Sequence, residues 1–324
     1  SIGLSVEKSY FMAVYQVVEA FRGGPDLIKI VGHRGARGYF PENSHVGFIE
    51  TINMGVTLLE FDVVFTSDGV PVITHDHYLH APTFRSPDRA FVNTQIKVSD
   101  LTWIQLQDYE IGVMDQESRY AKRFPAQRQI ADARVPRLMD LLALAADRQH
   151  DDVCLMLEIK SDPDFRSDLG YRRDMVATII DQLRRFGLAQ RTLLHSFDWE
   201  ILTECQRQAS DIATSFLTEL PQLSASSNDP TALISPDFSG RKRHIPDLVH
   251  DAGGQLWCPY FRDVTRRDLQ RAKDLGLVIA VWTVNEFKDI DKMISLSVDA
   301  IVTDFPDRVQ SALEDRGYNW RTQS

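Results

Sequence analysis

The sequence predicts an α/β protein, a (β/α)8 TIM barrel with an inserted cap segment and a β-hairpin extending the second strand. Short β-branched runs alternate with helical segments through most of the 324 residues, the pattern of βα units around a parallel sheet. One pair of strand candidates is joined too tightly to be parallel. The polar residues able to do chemistry collect at the ends of the strands.

Nine strand candidates can be read: Ile28 to Val31, Leu58 to Phe65, Val70 to Thr74, Val153 to Ile159, Thr192 to His195, Ile212 to Leu217, Gln255 to Trp257, Leu277 to Thr283 and Ala300 to Thr303. Only Thr66, Ser67, Asp68 and Gly69 separate the second from the third, whereas a parallel crossover needs about a dozen residues. Val70 to Thr74 must then fold back antiparallel, turning at Asp68-Gly69, and carry His75 and His77 over the barrel mouth. Eight strands remain to close the barrel. Helices are expected near Glu42 to Met54, Leu138 to Asp147, Asp168 to Phe186, Glu200 to Gln208, Thr265 to Leu275, Glu286 to Leu296 and Asp307 to Asp315, with an amphipathic helix near the N-terminus. No helix is evident after the fifth barrel strand, where the polar stretch Pro221 to Ser239 reads as a loop with short helical turns. Between Leu79 and Val135 the alternation dissolves over a length too great for a plain connection. Residues 80–135 are therefore expected to form a cap within a single domain spanning 1–324.

A composition of 43% hydrophobic and 25% charged residues is that of a globular protein. The formal charge of -10 argues against nucleic-acid binding, which needs clustered Lys and Arg on one face. No run approaches the roughly 18 apolar residues of a membrane span. Cys154, Cys205 and Cys258 lie far apart, without CxxC spacing, and read as reduced structural thiols. A cytoplasmic location is favoured; the first residue is Ser, so a periplasmic or secreted location stays open, as does a homo-oligomer.

Barrel enzymes carry their chemistry at the C-terminal ends of the strands. Here GHRG closes the first, LEFDV lies in the second, THDH ends the returning hairpin, LEIK ends the third barrel strand and WTVN the seventh. Glu60 and Asp62 are two apart on a strand and share a face. Glu158 adds a third carboxylate from the neighbouring strand. Three oxygen ligands suit one divalent cation, Mg²⁺ or Ca²⁺, whereas zinc favours nitrogen and sulfur. His33 and His75 are the candidates for proton transfer, because phosphodiester cleavage needs one group to deprotonate the nucleophile and another to protonate the leaving alkoxide. The strand alternation turns Asp76 away, His77 is left unassigned, and the remaining histidines, His80 and His195 among them, read as structural. Arg34 and Lys160 are placed either to hold an anionic phosphate or to neutralise the carboxylates, and Trp282 either to pack on a small alcohol or to line the barrel wall.

These residues resemble the glycerophosphodiester phosphodiesterase family, whose signature is similar to GHRGARGYFPENSHVGFIE followed by LLEFDVVFTSDGVPVITHDHYL. The likeness continues through VPRLMDLLALA, LMLEIKSDP, LLHSFDWEIL, VIAVWTVNE and VDAIVTDFPD, from Ile30 to Asp307. It implies a (β/α)8 barrel with an insertion, His33 and His75 as the acid and base pair, Glu60, Asp62 and Glu158 as ligands of a divalent cation, and Arg34 and Lys160 on phosphate. The implied substrate is a small glycerophosphodiester such as glycerophosphocholine or glycerophosphoethanolamine, giving glycerol 3-phosphate and an alcohol. Departures lie outside this set: His80, Ala81, Pro82 and Thr83 stand where an arginine and two threonines are usual, Met139 and Asp140 where acids are common, Thr57 in place of a frequent Asp, and Ala300 in place of a Gly. Three alternatives remain open. A lysophospholipase D-like enzyme would need an apolar rim, built from Tyr78, Phe84, Phe91 and Trp103. A barrel that binds glycerophosphodiesters without turnover would justify neither the histidines nor three acids in one mouth. A zinc amidohydrolase using His75 and His77 lacks further histidines at the ends of strands five and six.

Overall fold

A computed structural model describes residues 16–220 and 236–322. Eight parallel strands close on themselves: β1 (Lys29–His33), β2 (Leu58–Phe65), β4 (Cys154–Ile159), β5 (Thr192–Ser196), β6 (Thr214–Thr218), β7 (Leu256–Pro259), β8 (Val278–Val281) and β9 (Ala300–Thr303), with β9 pairing back onto β1. The ninth strand, β3 (Pro71–Ile73), runs antiparallel to the end of β2. Gly69 (φ +75°) supplies the left-handed residue of the connecting turn, and the Thr66 hydroxyl donates to Asp68 Oδ1 at 2.6 Å.

Period-two alternation sorts the strand residues into two cores. Leu59, Phe61, Leu155 and Leu157 point outward to pack with Leu138 and Leu141 of α5 (Leu138–Ala146) and Val176 and Ile179 of α6 (Leu169–Arg185). Val31, Leu58, Met156, Leu193 and Cys258 form a separate inner cluster. Val17, Val18 and Phe21, from the helical residues 16–21, join it. The inner file is apolar low in the barrel and polar towards the C-terminal rim. Leu58 is followed by Glu60 and Asp62, Met156 by Glu158 and Lys160, Val31 by His33, and Leu193 by His195.

Two elements differ from expectation. The helix after β1 is α2 (His45–Asn53), capped by the Ser44 side chain, which accepts from Gly47 N. Pro41, Glu42 and Asn43 precede that cap as loop, with Asn43 at φ +53°. A helix does follow the fifth barrel strand: α8 (Ile245–Asp251) starts with a proline in its first turn. Its seven residues are too few for periodicity to rise above the polar stretch before it. Residues 221–235 of that stretch lie outside the described residues.

The chain between β3 and α5 carries two short helices, α3 (Trp103–Leu106) and α4 (Arg119–Arg123). Leu79, Phe84, Val92, Val98, Leu106 and Ile111 cluster there against Val64 and Val72 of the hairpin. Phe84 is thus buried in the insert and does not form an apolar rim; of the four rim candidates Tyr78 alone is exposed. Phe84→Ala should cost about 3–5 kcal/mol, seen in denaturant titrations and as faster proteolysis between residues 79 and 135. Unchanged stability would mean that the cluster does not hold this segment.

Candidate functional site

The first turn after β1 is built for close approach. A Cβ on Gly32 would stand 2.3 Å from the Gly35 carbonyl oxygen, so only glycine lets the chain turn back on itself there. Arg34 sits in the left-handed region at φ +52°, a backbone cost that surrounding contacts must offset. In this conformation its amide donates to Glu60 Oε2 at 3.1 Å.

Strand register brings the three acids together. His33 pairs with Glu60, Asp62 with Glu158, and Glu158 with His195 across neighbouring strands. Glu60, Asp62 and Glu158 are all buried, and each places an oxygen within 4.8 Å of the others. No other group of three His, Cys, Asp or Glu among the described residues meets that geometry. His75 and His77 hold no shared position: His75 Nδ1 lies 2.8 Å from Asp76 Oδ1, while His77 Nε2 lies 3.2 Å from the Ser161 carbonyl. The zinc-pair alternative finds no geometry here.

Burial and the Asp62 and Glu158 charges push the Glu60 carboxyl well above its ordinary range. Glu158 is pushed up to about 7 by burial, against the pull of Lys160. Burial alone would raise Asp62 too, yet Lys160, His75 and Arg34 hold it well below the carboxylate range. Lys160 Nζ lies 2.8 Å from Glu158 Oε1 and 3.3 Å from Asp62 Oδ1, so an ammonium is in contact with one side of the triad, whereas Glu60 feels the Arg34 charge at longer range. Beside Asp62, which accepts from Asn43 Nδ2 at 3.0 Å, the buried Asn43 Oδ1 has no hydrogen-bond partner. An all-oxygen donor set, short of positive charge and flanked by an unpaired acceptor, fits a hard divalent cation.

The Arg34 guanidinium donates to Glu42 Oε1 at 3.0 Å, and its Nε stands 3.3 Å from Asp62 Oδ2 without hydrogen-bond geometry. That buried Nε–H is unspent and can serve an anionic oxygen. Trp282 donates its indole N–H to the Cys258 carbonyl and meets Phe197 edge-on at 5.4 Å; it is fixed as wall and also lines the cavity. His33, Arg34, Glu60, His75, Lys160 and Trp282 share that cavity of about 410 Å³.

Several residues escape the sequence reading. Asp304, just past β9, accepts from His33 Nδ1 at 2.7 Å, from Arg37 Nε and Nη2 at 2.7 and 2.9 Å, and from Asn285 Nδ2 at 2.8 Å. Although burial opposes it, the Arg37 and His33 charges keep Asp304 well below the carboxylate range. His33 therefore carries its proton on Nδ1, and Nε2 is turned to the mouth, 3.8 Å from Glu60 Oε2. Burial draws the pKa of His33 down to about 4, so the ring is neutral near pH 7. Glu42, read as helix, is instead buried between Arg34 and Arg37, whose charges overcome its desolvation and take it down to about 2; Tyr120 donates to its Oε2 at 2.6 Å.

Asp76 does not turn away. β3 ends at Ile73, so strand alternation no longer governs residue 76. Its carboxylate pairs with His75 Nδ1 and stands 3.4 Å from His80 Nδ1, leaving His75 Nε2 as the nitrogen free to meet a ligand. His80 and His195 also line the cavity. His195 keeps a structural bond, with Nδ1 2.6 Å from Ser215 Oγ. The signals for Asp304 were its place two residues beyond the inward-facing Val302 and its position within the VDAIVTDFPD segment.

A sequence model described as the glycerophosphoryl diester phosphodiesterase family matches residues 33–308. A glycerophosphodiester phosphodiesterase of Bacillus subtilis (strain 168) is 25% identical over 285 residues, 87% of this chain and 85% of that protein. The crystal structure of a candidate glycerophosphoryl diester phosphodiesterase of Silicibacter pomeroyi DSS-3 matches with a TM-score of 0.89 at 42% identity, covering 94% of this chain and 99% of that one. An Oleispira antarctica phosphodiesterase, solved with the product sn-glycerol-3-phosphate, shares the fold with a TM-score of 0.66 at 18% identity over 89% of this chain and 97% of that one.

Proposed function

The chain belongs to the glycerophosphoryl diester phosphodiesterase family and is an enzyme of that class, and from this premise we propose that it hydrolyses small, water-soluble glycerophosphodiesters to glycerol 3-phosphate and an alcohol, with a divalent cation at Glu60, Asp62 and Glu158. One observation carries the reading: two imidazoles, each held at Nδ1 by a carboxylate, line a cavity together with Glu60 and Glu158, two members of a buried cluster of three acids completed by Asp62. A bound Mg²⁺ or Ca²⁺ would neutralise charge on the phosphoryl oxygens.

The chain's own residues do the rest. Arg34 and Lys160 hold the anionic diester. His33 Nε2, neutral and oriented by Asp304, takes the proton of the attacking oxygen, which the neighbouring glycerol hydroxyl supplies by way of a cyclic phosphate, or water supplies directly. His75 enters the step as the imidazolium, its Nδ1–H held by Asp76 against the burial and the Arg34 and Lys160 charges that lower its pKa, and gives its Nε2 proton to the departing alkoxide. Trp282 packs beside the organic part of the substrate. Residues 80–135 act as the cap over a single catalytic unit. The test is release of glycerol 3-phosphate from a panel of glycerophosphodiesters and lysophospholipids, with Mg²⁺, Ca²⁺ or chelator present. Metal-dependent release from the soluble diesters is expected; activity confined to lysophospholipids would move the protein to lipid substrates.

Two further outcomes are expected. Asp304→Asn removes the charge that fixes the His33 tautomer, and should lower kcat by roughly tenfold or more with little change in KM. A pure KM effect would place Asp304 on substrate instead. Adding Mg²⁺ or Ca²⁺ should raise the melting temperature, because a ligand bound only by the folded state stabilises it. A Glu60→Gln variant should lose this shift; an equal shift in that variant would put the cation elsewhere.

A further inference from the structure

A second cavity of about 590 Å³ opens beside the catalytic one and shares with it His75, Asp76, His80, Glu158, Lys160 and Phe197. His33 and Arg34 line only the catalytic cavity. We infer that this second cavity receives the alcohol half of the diester and selects it by charge, accepting a cationic or uncharged alcohol and turning away an anionic one, with Lys97, Asp162 and Asp164 setting the preference. The inference rests on the phosphodiesterase reading and deepens it.

Position gives the first part. In a phosphoryl displacement the attacking and leaving oxygens lie roughly in line across phosphorus. A diester with its phosphorus at the shared wall has one arm in each cavity. Attack from the His33 side forms the new P–O bond and passes a proton to His33 Nε2. The opposite P–O bond then breaks towards the His75 imidazolium, whose Nε2 proton goes to the leaving oxygen while Nδ1–H stays on Asp76, and the released alcohol lies in the second cavity.

Charge gives the second part. The loop after β4 supplies Asp162 and Asp164, and the insert supplies Lys97, whose ammonium pairs with both, at 2.9 Å from Asp162 Oδ1. Asp76 faces the cavity from the shared wall. Glu158 and Lys160 satisfy one another. Asp162 and Asp164 thus share the single ammonium of Lys97, which leaves the lining of the second cavity with an excess of carboxylate charge. Such an excess sorts ligands more by specificity than by raw affinity. The exposed ring of Tyr78 and the Phe197 side chain add aromatic surface beside the acids, the combination that receives alkylammonium groups.

The experiment compares kcat/KM for three glycerophosphodiesters, whose alcohols are choline, glycerol and glycolate, on the wild type and on Asp164→Lys. Asp164 is two-thirds exposed, so the substitution spares the fold. The wild type is expected to favour the choline over the glycolate diester by about tenfold or more, and Asp164→Lys to reduce that ratio at least about fivefold, the glycerol diester serving as reference for general damage. Equal wild-type rates on choline and glycolate diesters, or a ratio that Asp164→Lys leaves unmoved while all three rates fall together, would overturn the inference and leave the phosphodiesterase reading standing. Hydrolysis of none of the three by the metal-loaded wild type would overturn that reading itself.

Discussion

Asp62→Asn and Glu60→Gln are each expected to lower turnover by roughly 10³-fold or more, since the cation they would hold must offset several kcal/mol of phosphoryl charge. The two positions fail for different electrostatic reasons. Asp62 is held ionised by Lys160, His75 and Arg34 despite its burial; its amide leaves Lys160 and Arg34 without that counter-charge as well as removing an anionic ligand. Glu60 is pushed upward by burial and by its acidic neighbours, so a cation is what would return it to the carboxylate form. Isosteric amides preserve the packing of a site in which both residues are almost fully buried. Measuring both steady-state rate and cation affinity decides the matter. Full activity in either variant would remove that residue from the ligand set, and lost activity with unchanged cation affinity would assign it to substrate.

The second large effect is at the imidazoles. His33→Ala and His75→Ala should each slow the chemical step by roughly 10²- to 10⁴-fold, with circular dichroism and melting behaviour retained. The two losses should respond differently to the leaving group. If His75 protonates the departing oxygen, an activated diester with a nitrophenol leaving group needs no acid, and His75→Ala should recover most of its rate there. His33→Ala should stay slow on both substrates, because the role proposed for it is at the attacking oxygen. Equal recovery in both variants would refute the division of roles, and wild-type rates in either would refute the acid and base pair.

The barrel was legible because its signals are local. β-branched runs, the alternation of inward and outward residues, and an Asp-Gly turn too tight for a crossover all act within a few residues. α8 was missed because seven residues give little periodicity, and α2 was overextended because Glu42 and Asn43 look helical until Ser44 caps the helix behind them.

The sequence by itself determined that Glu60, Asp62 and Glu158 face one space, since a strand repeats every two residues and neighbouring barrel strands hold their register. It also determined that His33 lies at the rim. Only the tertiary structure decided what surrounds them. Asp304 reaches His33 across 271 positions of sequence, Glu42 is locked between two arginines by a loop, and Asp76 turns to His75 because the strand has already ended. The second cavity exists because residues 92–97 of the insert come to lie beside the loop after β4. Side-chain direction on a strand is fixed by local backbone geometry, whereas the path of a loop is fixed by packing against residues far away in the chain.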